Sequence, residues 1–219
     1  MKAHREHHGW VPIITVLLGT GMRIGDCLGL RWEDLDFEKR IIHVNHTLSY
    51  RPDEEGVSSK KVSTPKTFAG TRTIPMIDEV FDAFLQEYEL QKCIGFTSEA
   101  VDGYSNFVFA TAMGSVYLAS AVNHAIERIR KAYNKEEEEN AKREGREPLL
   151  IPHFTAHHLR HTFCTRVCEN ETNLKVIQSI MGHADISTTM DIYAGEKARN
   201  SCKSPGKDYN ISKDFSNVS

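Results

Sequence analysis

Six side chains in four separate segments have the chemistry of a site that binds and attacks an anion. They are Arg23, Lys66, His157, Arg160, His183 and Tyr193. Five are cations or can become cations, and each arginine has a planar fork of donors that fits two oxygens of one phosphate. The sixth is a phenol with a free pKa of about 10, so it needs a bound phosphate and a nearby base to act as a nucleophile. The residue types therefore predict an anion site with a tyrosine beside it.

The spacing within the segments supports this interpretation. His157 lies three positions before Arg160, which places both residues on one face of a helix. Tyr193 lies ten positions after His183, in a segment rich in threonine and aspartate. Taken one at a time, Arg23 and Lys66 would be interpreted as surface residues, so the prediction depends on the combination.

Helices and one small sheet are predicted to position these residues. Apolar periodicity predicts two helices within residues 9–30, split by Gly19–Gly21, and strand patterns follow at 41–50, 60–64 and 71–76. The sequence pattern predicts helix everywhere after residue 77, with Asp78 as the cap of the first of these helices. The later helices are predicted from about Leu118 into the charged segment 135–147, and at 157–169, 174–181 and 187–193. The fold class is therefore α+β and mainly α-helical, with a small three-stranded antiparallel sheet.

Composition excludes several classes of protein. The chain has 219 residues, 40% hydrophobic and 26% charged, and a net charge of −3, so it does not hold nucleic acid by bulk positive charge. Its longest apolar stretch, residues 10–18, is shorter than the roughly 20 residues that cross a bilayer. The five cysteines form no CxxC pair and are typical of reduced thiols. We expect a cytoplasmic protein without a membrane span.

Several residues also have simpler interpretations. His157 and His161 have the i, i+4 spacing of a zinc pair, with Asp26 or Asp185 as a further ligand, but Arg160 between them would repel a dication. We expect no metal, and interpret His161 as a packed, hydrogen-bonded histidine. Cys164 and Cys168 share the same spacing, and buried packing is favoured for them.

Arg72, at the predicted third strand, has two open interpretations. It could contact a DNA backbone, or it could have a plain surface or cross-strand role. The sequence favours neither.

The combination of motifs resembles the tyrosine recombinases, the phage integrase family, and in particular the integrases of phages and conjugative transposons. The matching motifs are a Gly-x-Arg at a helix start, a lysine in a β-hairpin, a His-x-x-Arg-His-Thr helix, a Gly-His turn and a tyrosine ten residues later. The resemblance runs from about residue 10 to residue 194. His158 departs from the pattern, because the family often has Asp there.

The resemblance implies a mechanism and assigns a role to each residue. Tyr193 would attack the scissile phosphate to give a 3′-phosphotyrosine and a free 5′-hydroxyl, without a cofactor. Arg23 and Arg160 would bind the non-bridging oxygens, and Lys66 would protonate the leaving oxygen. His157 would assist as a general acid or base, and His183 would donate a hydrogen bond to the phosphate. Asp26 would orient neighbouring side chains.

The resemblance also implies an organisation and a set of partners. Residues 1–9 are expected to be a linker remnant, 10–194 the catalytic domain, and 195–219 a flexible tail that could pack on a neighbouring copy. The partners would be double-stranded DNA attachment sites and a directionality factor. The full-length protein would act as a homotetramer on DNA. Because too few residues precede Trp10 for the family's core-binding domain, we expect this chain to be a catalytic-domain fragment and a monomer.

Three other functions stay open at this point. A non-catalytic DNA-binding module of the same fold would bind a nicked duplex without cleaving it. A type IB topoisomerase-like enzyme would relax supercoils without sequence preference. A metal-dependent hydrolase using the histidines would be inhibited by EDTA.

Overall fold

Six α-helices make up about half of the described chain. The computed structural model describes residues 5–52, 54–64, 71–170 and 173–182. The helices are α1 (Val11–Thr20), α2 (Ile24–Leu28), α3 (Asp78–Ile94), α4 (Ala119–Glu144), α5 (Ala156–Asn170) and α6 (Leu174–Met181). Short 3-10 helices span Arg5–Trp10 and Trp32–Asp34. Within these residues, no helix combines the length and the apolar character needed to span a membrane.

Among the described residues, five short strands form two antiparallel sheets. They are β1 (Leu35–Asp36), β2 (Ile41–Val44), β3 (Thr47–Pro52), β4 (Ser58–Ser63) and β5 (Arg72–Pro75). β2 lies between β1 and β5 in a three-stranded sheet, whereas β3 and β4 pair only with each other. The predicted α+β class is confirmed. The single strand predicted over 41–50 is divided between the two sheets.

The division at Asn45 and His46 has a local cause. The Asn45 amide donates to Asp34 Oδ1 at 3.2 Å, and the buried His46 ring lies 4.7 Å from the ring of Tyr104. Both side chains therefore have partners outside the ladder, and the chain changes direction between β2 and β3.

Two glycines let β3 pass directly over α2. A Cβ on Gly25 would lie 2.8 Å from the Leu48 carbonyl oxygen, and a Cβ on Gly29 would lie 3.0 Å from the His46 carbonyl oxygen. The i, i+4 spacing puts both glycines on one face of α2. The helix that follows Arg23 is thereby held against the sheet.

The buried apolar side chains form two separate clusters. The main cluster joins α1, α3 and the three-stranded sheet, and includes Leu17, Ile42, Ile74 and Phe84. The second cluster joins α5 and α6. Its members are Phe163, Cys164, Val167, Cys168, Ile177, Ile180 and Met181. The boundary between the two clusters is where the candidate site lies.

The expectation of helix throughout residues 77–193 is wrong for residues 97–118, which contain loops and isolated bridges. Val101 and Tyr104 exchange both backbone hydrogen bonds at 2.9 Å around Asp102 and Gly103, whose φ angles are 49° and 83°. Two successive positive φ values are those of a type I′ turn, for which Asp-Gly is a favoured sequence. The preceding helix, α3, has already ended at Ile94, where Gly95 is a left-handed C-cap, so the turn belongs to a non-helical segment.

Two predicted helix ends also differ in detail. α3 begins at Asp78 with Ile77 as its N-cap, so Asp78 lies in the first turn and accepts a hydrogen bond from Arg40. The charged end of α4 is mostly exposed, as predicted, but Glu137 is buried and accepts from Arg146 Nη2 at 3.2 Å.

Glu87 on α3 makes the stability of the fold depend on pH. Burial raises the pKa of its carboxyl to about 7, although Gln91 Nε2 donates to Oε1 at 3.0 Å. Because the pKa in the folded chain is higher than in the unfolded chain, the free energy of unfolding should fall as pH rises through about 4.5 to 7. We expect Glu87→Gln to remove this loss and to stabilise the chain at pH 8 by up to about 3 kcal/mol.

Urea unfolding at pH 5 and pH 8 measures this effect. The exposed Glu89, on the same helix, provides the matched control Glu89→Gln. An equal change in stability at both pH values in Glu87→Gln would contradict the assignment.

Candidate active site

The structure describes three of the six predicted site residues. Arg23, His157 and Arg160 are within the described ranges, whereas Lys66, His183 and Tyr193 lie outside them. The described part of the site therefore consists of the arginines, their counter-ion and the histidines of α5.

Arg160 is buried between α1 and α6. Its Nη1 donates to the Gly21 carbonyl at 2.6 Å and its Nη2 donates to the Met181 carbonyl at 2.6 Å. Burial, followed by the nearby charges of Arg23 and Arg72, lowers the pKa of Arg160 to about 10. The guanidinium group remains charged at neutral pH and is held by fixed carbonyl groups on two sides.

Gly21 is required where α1 ends. It has a left-handed φ of 61°, and a Cβ there would lie 2.2 Å from the ring of Phe163 on α5. Only glycine accepts both this conformation and this contact. The Gly-Met-Arg sequence thus brings the Gly21 carbonyl to Arg160 and places Arg23 just before α2.

Arg23 is the more accessible arginine of the pair. Its side chain is 48% exposed, and its Nη2 donates to the Gly182 carbonyl at 3.0 Å. Its Nη1 lies 3.9 Å from Asp26 Oδ2. Arg23 and Arg160 therefore meet at the end of α6, with Arg23 on the side that a phosphate from solvent would reach.

Asp26 is the buried counter-ion of the site. Its Oδ1 accepts from Thr47 Oγ1 at 2.7 Å, and its Oδ2 accepts from Arg72 Nη2 at 3.0 Å. The carboxylate thus contacts side chains of β3 and β5 and lies beside Arg23, as an orienting group would. We refer to Arg23, Asp26, Arg72 and Arg160 as the arginine network.

Arg72 and Thr47 were missed by sequence reasoning. The Arg72 side chain is only 4% exposed, so neither the DNA-backbone contact nor the plain surface role describes it. The cross-strand role does not describe it either, because Asp26 and the Ile180 carbonyl lie on α2 and α6 and not on the paired strand β2. Burial lowers its pKa, while the charge of Asp26 opposes that change. A signal was available, because alternation in β5 places Arg72 on the same buried face as Ile74.

The arginine network holds three successive carbonyl groups of α6. Arg72 Nε donates to Ile180 at 3.1 Å, and Met181 and Gly182 accept from Arg160 and Arg23. These carbonyls form the C-terminal end of the helix, where the helix dipole favours positive charge. His183 is the next residue in the sequence.

The histidines of α5 lie at the edge of this network. His157 is exposed one turn before Arg160, and its Nε2 is 3.0 Å from Nε2 of His161. His161 is hydrogen-bonded as predicted, but it is exposed rather than packed. Partial desolvation and the charge of His157 lower the pKa of His161.

His158 has a structural role that the sequence left open. Its Nδ1 accepts from the Thr155 backbone N–H at 3.1 Å, and Asn123 Oδ1 accepts from the Ala156 N–H at 3.0 Å. These are the unpaired donors at the start of α5, so the two side chains cap the helix that carries His157 and Arg160.

The proposed zinc ligands have other partners. Asp26 is bound to Arg72 and Thr47, and Asp185 lies outside the described ranges. Cys164 and Cys168 are buried in the α5–α6 cluster. In the part of the chain that the structure describes, no three His, Cys, Asp or Glu residues are grouped to hold a metal.

Comparison with known proteins identifies the family. Residues 10–199 match the phage integrase family. The transposase of transposon Tn916 from Enterococcus faecalis is 38% identical over 193 residues, which cover 88% of this chain and 44% of that protein. A XerC-like tyrosine recombinase from Caldanaerobacter subterraneus is 29% identical over 200 residues, covering 88% of this chain and 47% of that protein.

A solved structure gives the same result. The Tn1549 transposon integrase in complex with transposon right end DNA has a TM-score of 0.72 and 36% identity, covering 92% of this chain and 59% of that chain. The chain spans about half the length of the curated relatives it matches. The predicted resemblance is confirmed: the chain belongs to the phage integrase family of tyrosine recombinases.

Proposed function

We propose that this chain is the catalytic domain of a site-specific recombinase that integrates or excises a mobile element. It cleaves and rejoins DNA through a 3′-phosphotyrosine. One observation carries the proposal. Arg23 and Arg160 converge on the end of α6, from which the sequence continues directly into His183 and, ten residues later, Tyr193. The Tn1549 integrase, which is 36% identical, was solved bound to DNA of its transposon.

In the proposed cleavage step, Tyr193 Oη bonds to the scissile phosphorus and the bond from phosphorus to the 5′-oxygen breaks. The phenolic proton leaves with the help of His157, and Lys66 supplies a proton to the 5′-oxygen. Arg23 and Arg160 hold the non-bridging oxygens, and His183 donates to the same phosphate. Hydrogen-bond donors that are already oriented stabilise the transition state most strongly at the oxygens where negative charge develops.

One phosphodiester replaces another, so the step conserves bond energy and reverses when a second 5′-hydroxyl attacks the phosphotyrosine. The residues named are sufficient for this chemistry without a cofactor. The rigidity of the Arg160 contacts supports the role, because a donor that is already oriented needs no reorganisation during reaction.

The proposal extends to partners and organisation. Double-stranded attachment sites are the substrate, residues 10–194 are the catalytic domain, and residues 195–219 are a tail that packs on a neighbouring copy. The complete protein acts as a tetramer on two DNA sites, with a directionality factor selecting excision. Its place of action is the bacterial cytoplasm, where such DNA is found.

A suicide-substrate assay tests the proposal. The chain is incubated in EDTA with a labelled duplex from the element's end, nicked so that the cleaved 5′-hydroxyl fragment diffuses away. We expect a protein–DNA band on a denaturing gel. Absence of the band would be followed by the same assay with the chain in place of the matching region of the Tn916 transposase, and a second absence would favour a non-catalytic DNA-binding module. Relaxation of any supercoiled plasmid would favour a topoisomerase-like enzyme.

A further inference from the structure

Arg72 occupies a position where an apolar residue would be expected. It faces inward from β5, paired with Val44 of β2, and its side chain is 4% exposed. A buried charge lowers stability unless it is paired and hydrogen-bonded. The partners of Arg72 therefore indicate why a charge is present there.

The contacts of Arg72 join the two halves of the site. Nη2 binds Asp26, which also lies beside Arg23, and Nε binds the Ile180 carbonyl on α6. The guanidinium group also lies against Gly182, where a Cβ would be 2.9 Å from Arg72 Nη1. One side chain from the sheet thus contacts both the α2 carboxylate and the end of α6.

This bridge crosses the boundary between the two apolar clusters. Ile180 and Met181 belong to the α5–α6 cluster, whereas Val44 and Ile74, beside Arg72 in the sheet, belong to the main cluster. The polar contacts of Arg72 at this boundary connect Asp26, and through it Arg23, to the end of α6 that leads to His183.

We propose that Arg72 is a positioning residue for strand cleavage, which acts through Asp26 and the α6 carbonyls and does not touch DNA. It holds Arg23 and the segment before His183 in the arrangement that is needed to bind one phosphate together. The cleavage readout of this inference rests on the proposed function, and a second readout is independent of it.

The test compares Arg72→Gln with Arg72→Lys and a matched control in the 219-residue chain. Arg130→Gln is the control, because Arg130 also joins a carboxylate, that of Glu127, to a carbonyl, that of Ile151, away from the site. At saturating nicked duplex, we expect Arg72→Gln to cleave at least 100-fold more slowly while DNA affinity changes less than threefold. Arg72→Lys should recover at least tenfold, and Arg130→Gln should cleave at the wild-type rate.

A methylphosphonate at the scissile position separates positioning from general damage. It removes the negative charge of the non-bridging oxygens, so cleavage depends less on the arginines. The ratio of the wild-type cleavage rate to the Arg72→Gln cleavage rate, which measures the deficit of the variant, should be at least tenfold smaller on this substrate than on the natural phosphate. A deficit of the same size on both substrates would show a merely structural role and would overturn the proposal.

Hydrogen exchange gives the readout that does not depend on cleavage. Amides in the last turn of α6 should exchange at least tenfold faster in Arg72→Gln than in wild type or Arg130→Gln, with α3 unchanged. Unchanged exchange in α6, or wild-type cleavage by Arg72→Gln, would overturn the proposal. If the wild-type chain forms no adduct, either alone or in place of the matching region of the Tn916 transposase, but α6 exchange accelerates in Arg72→Gln, the proposed function fails while the positioning of α6 by Arg72 stands.

Discussion

Tyr193→Phe is expected to abolish covalent attachment of the chain to DNA, with a loss of at least about 1,000-fold in the amount of protein–DNA adduct. The substitution removes only the nucleophilic oxygen, so folding and DNA affinity should be unchanged. The measurement combines the denaturing-gel assay with a binding titration on the same nicked duplex. Tyr193 lies outside the described residues, so this result would also establish which tyrosine reacts.

Tyr88 provides the matched control for loss of a tyrosine hydroxyl. Tyr88 on α3 is 39% exposed and packs on Trp32 and Phe96, so Tyr88→Phe should form adduct like wild type. If Tyr193→Phe lost DNA binding to the same degree as adduct formation, the nucleophile assignment would be wrong.

Arg160→Ala is expected to slow cleavage by about 100- to 1,000-fold, which corresponds to roughly 3–4 kcal/mol of transition-state stabilisation. Arg160→Lys should recover little of this rate. A single ammonium group cannot hold the Gly21 and Met181 carbonyls and also present a fork to phosphate. Single-turnover rates at saturating DNA measure the loss.

Arg166 provides the control on the same helix. It is 58% exposed and pairs with Glu169 at 3.0 Å, so Arg166→Ala should cleave normally. Circular dichroism should show native helix content in Arg160→Lys, since loss of fold would also remove activity. A cleavage rate in Arg160→Ala within threefold of wild type would remove Arg160 from the proposed site.

Much of the fold could be predicted because its elements have strong local signals. The predicted helix at 174–181 coincides with α6, where apolar residues recur on one face between Asn173 and Gly182. The prediction of helix for residues 97–118 is wrong, because the chain there forms isolated bridges and turns and its buried residues do not recur with a period of 3.6. Asp102 and Gly103 were the overlooked turn signal.

The candidate site, too, could be predicted only in part from the sequence. Arg23 and Arg160 could be identified because the residue types that would do the chemistry stand in recognisable motifs. The burial of Arg72 could have been predicted from the alternation in β5, but its partners could not, because they include a main-chain carbonyl, and every residue type has one. Only the fold shows that the Ile180 carbonyl lies 3.1 Å from Arg72 Nε.

The arginine network sets three guanidinium groups against one carboxylate, with neutral carbonyl dipoles as the other partners described above. Without DNA, like charges are therefore concentrated at the junction of the two apolar clusters, which opposes folding. An anion bound there would recover that free energy, so ligand occupancy and resistance to unfolding are linked. Under the proposed function, selection for rapid cleavage would thus hold the DNA-free protein below the stability that its sequence could otherwise reach.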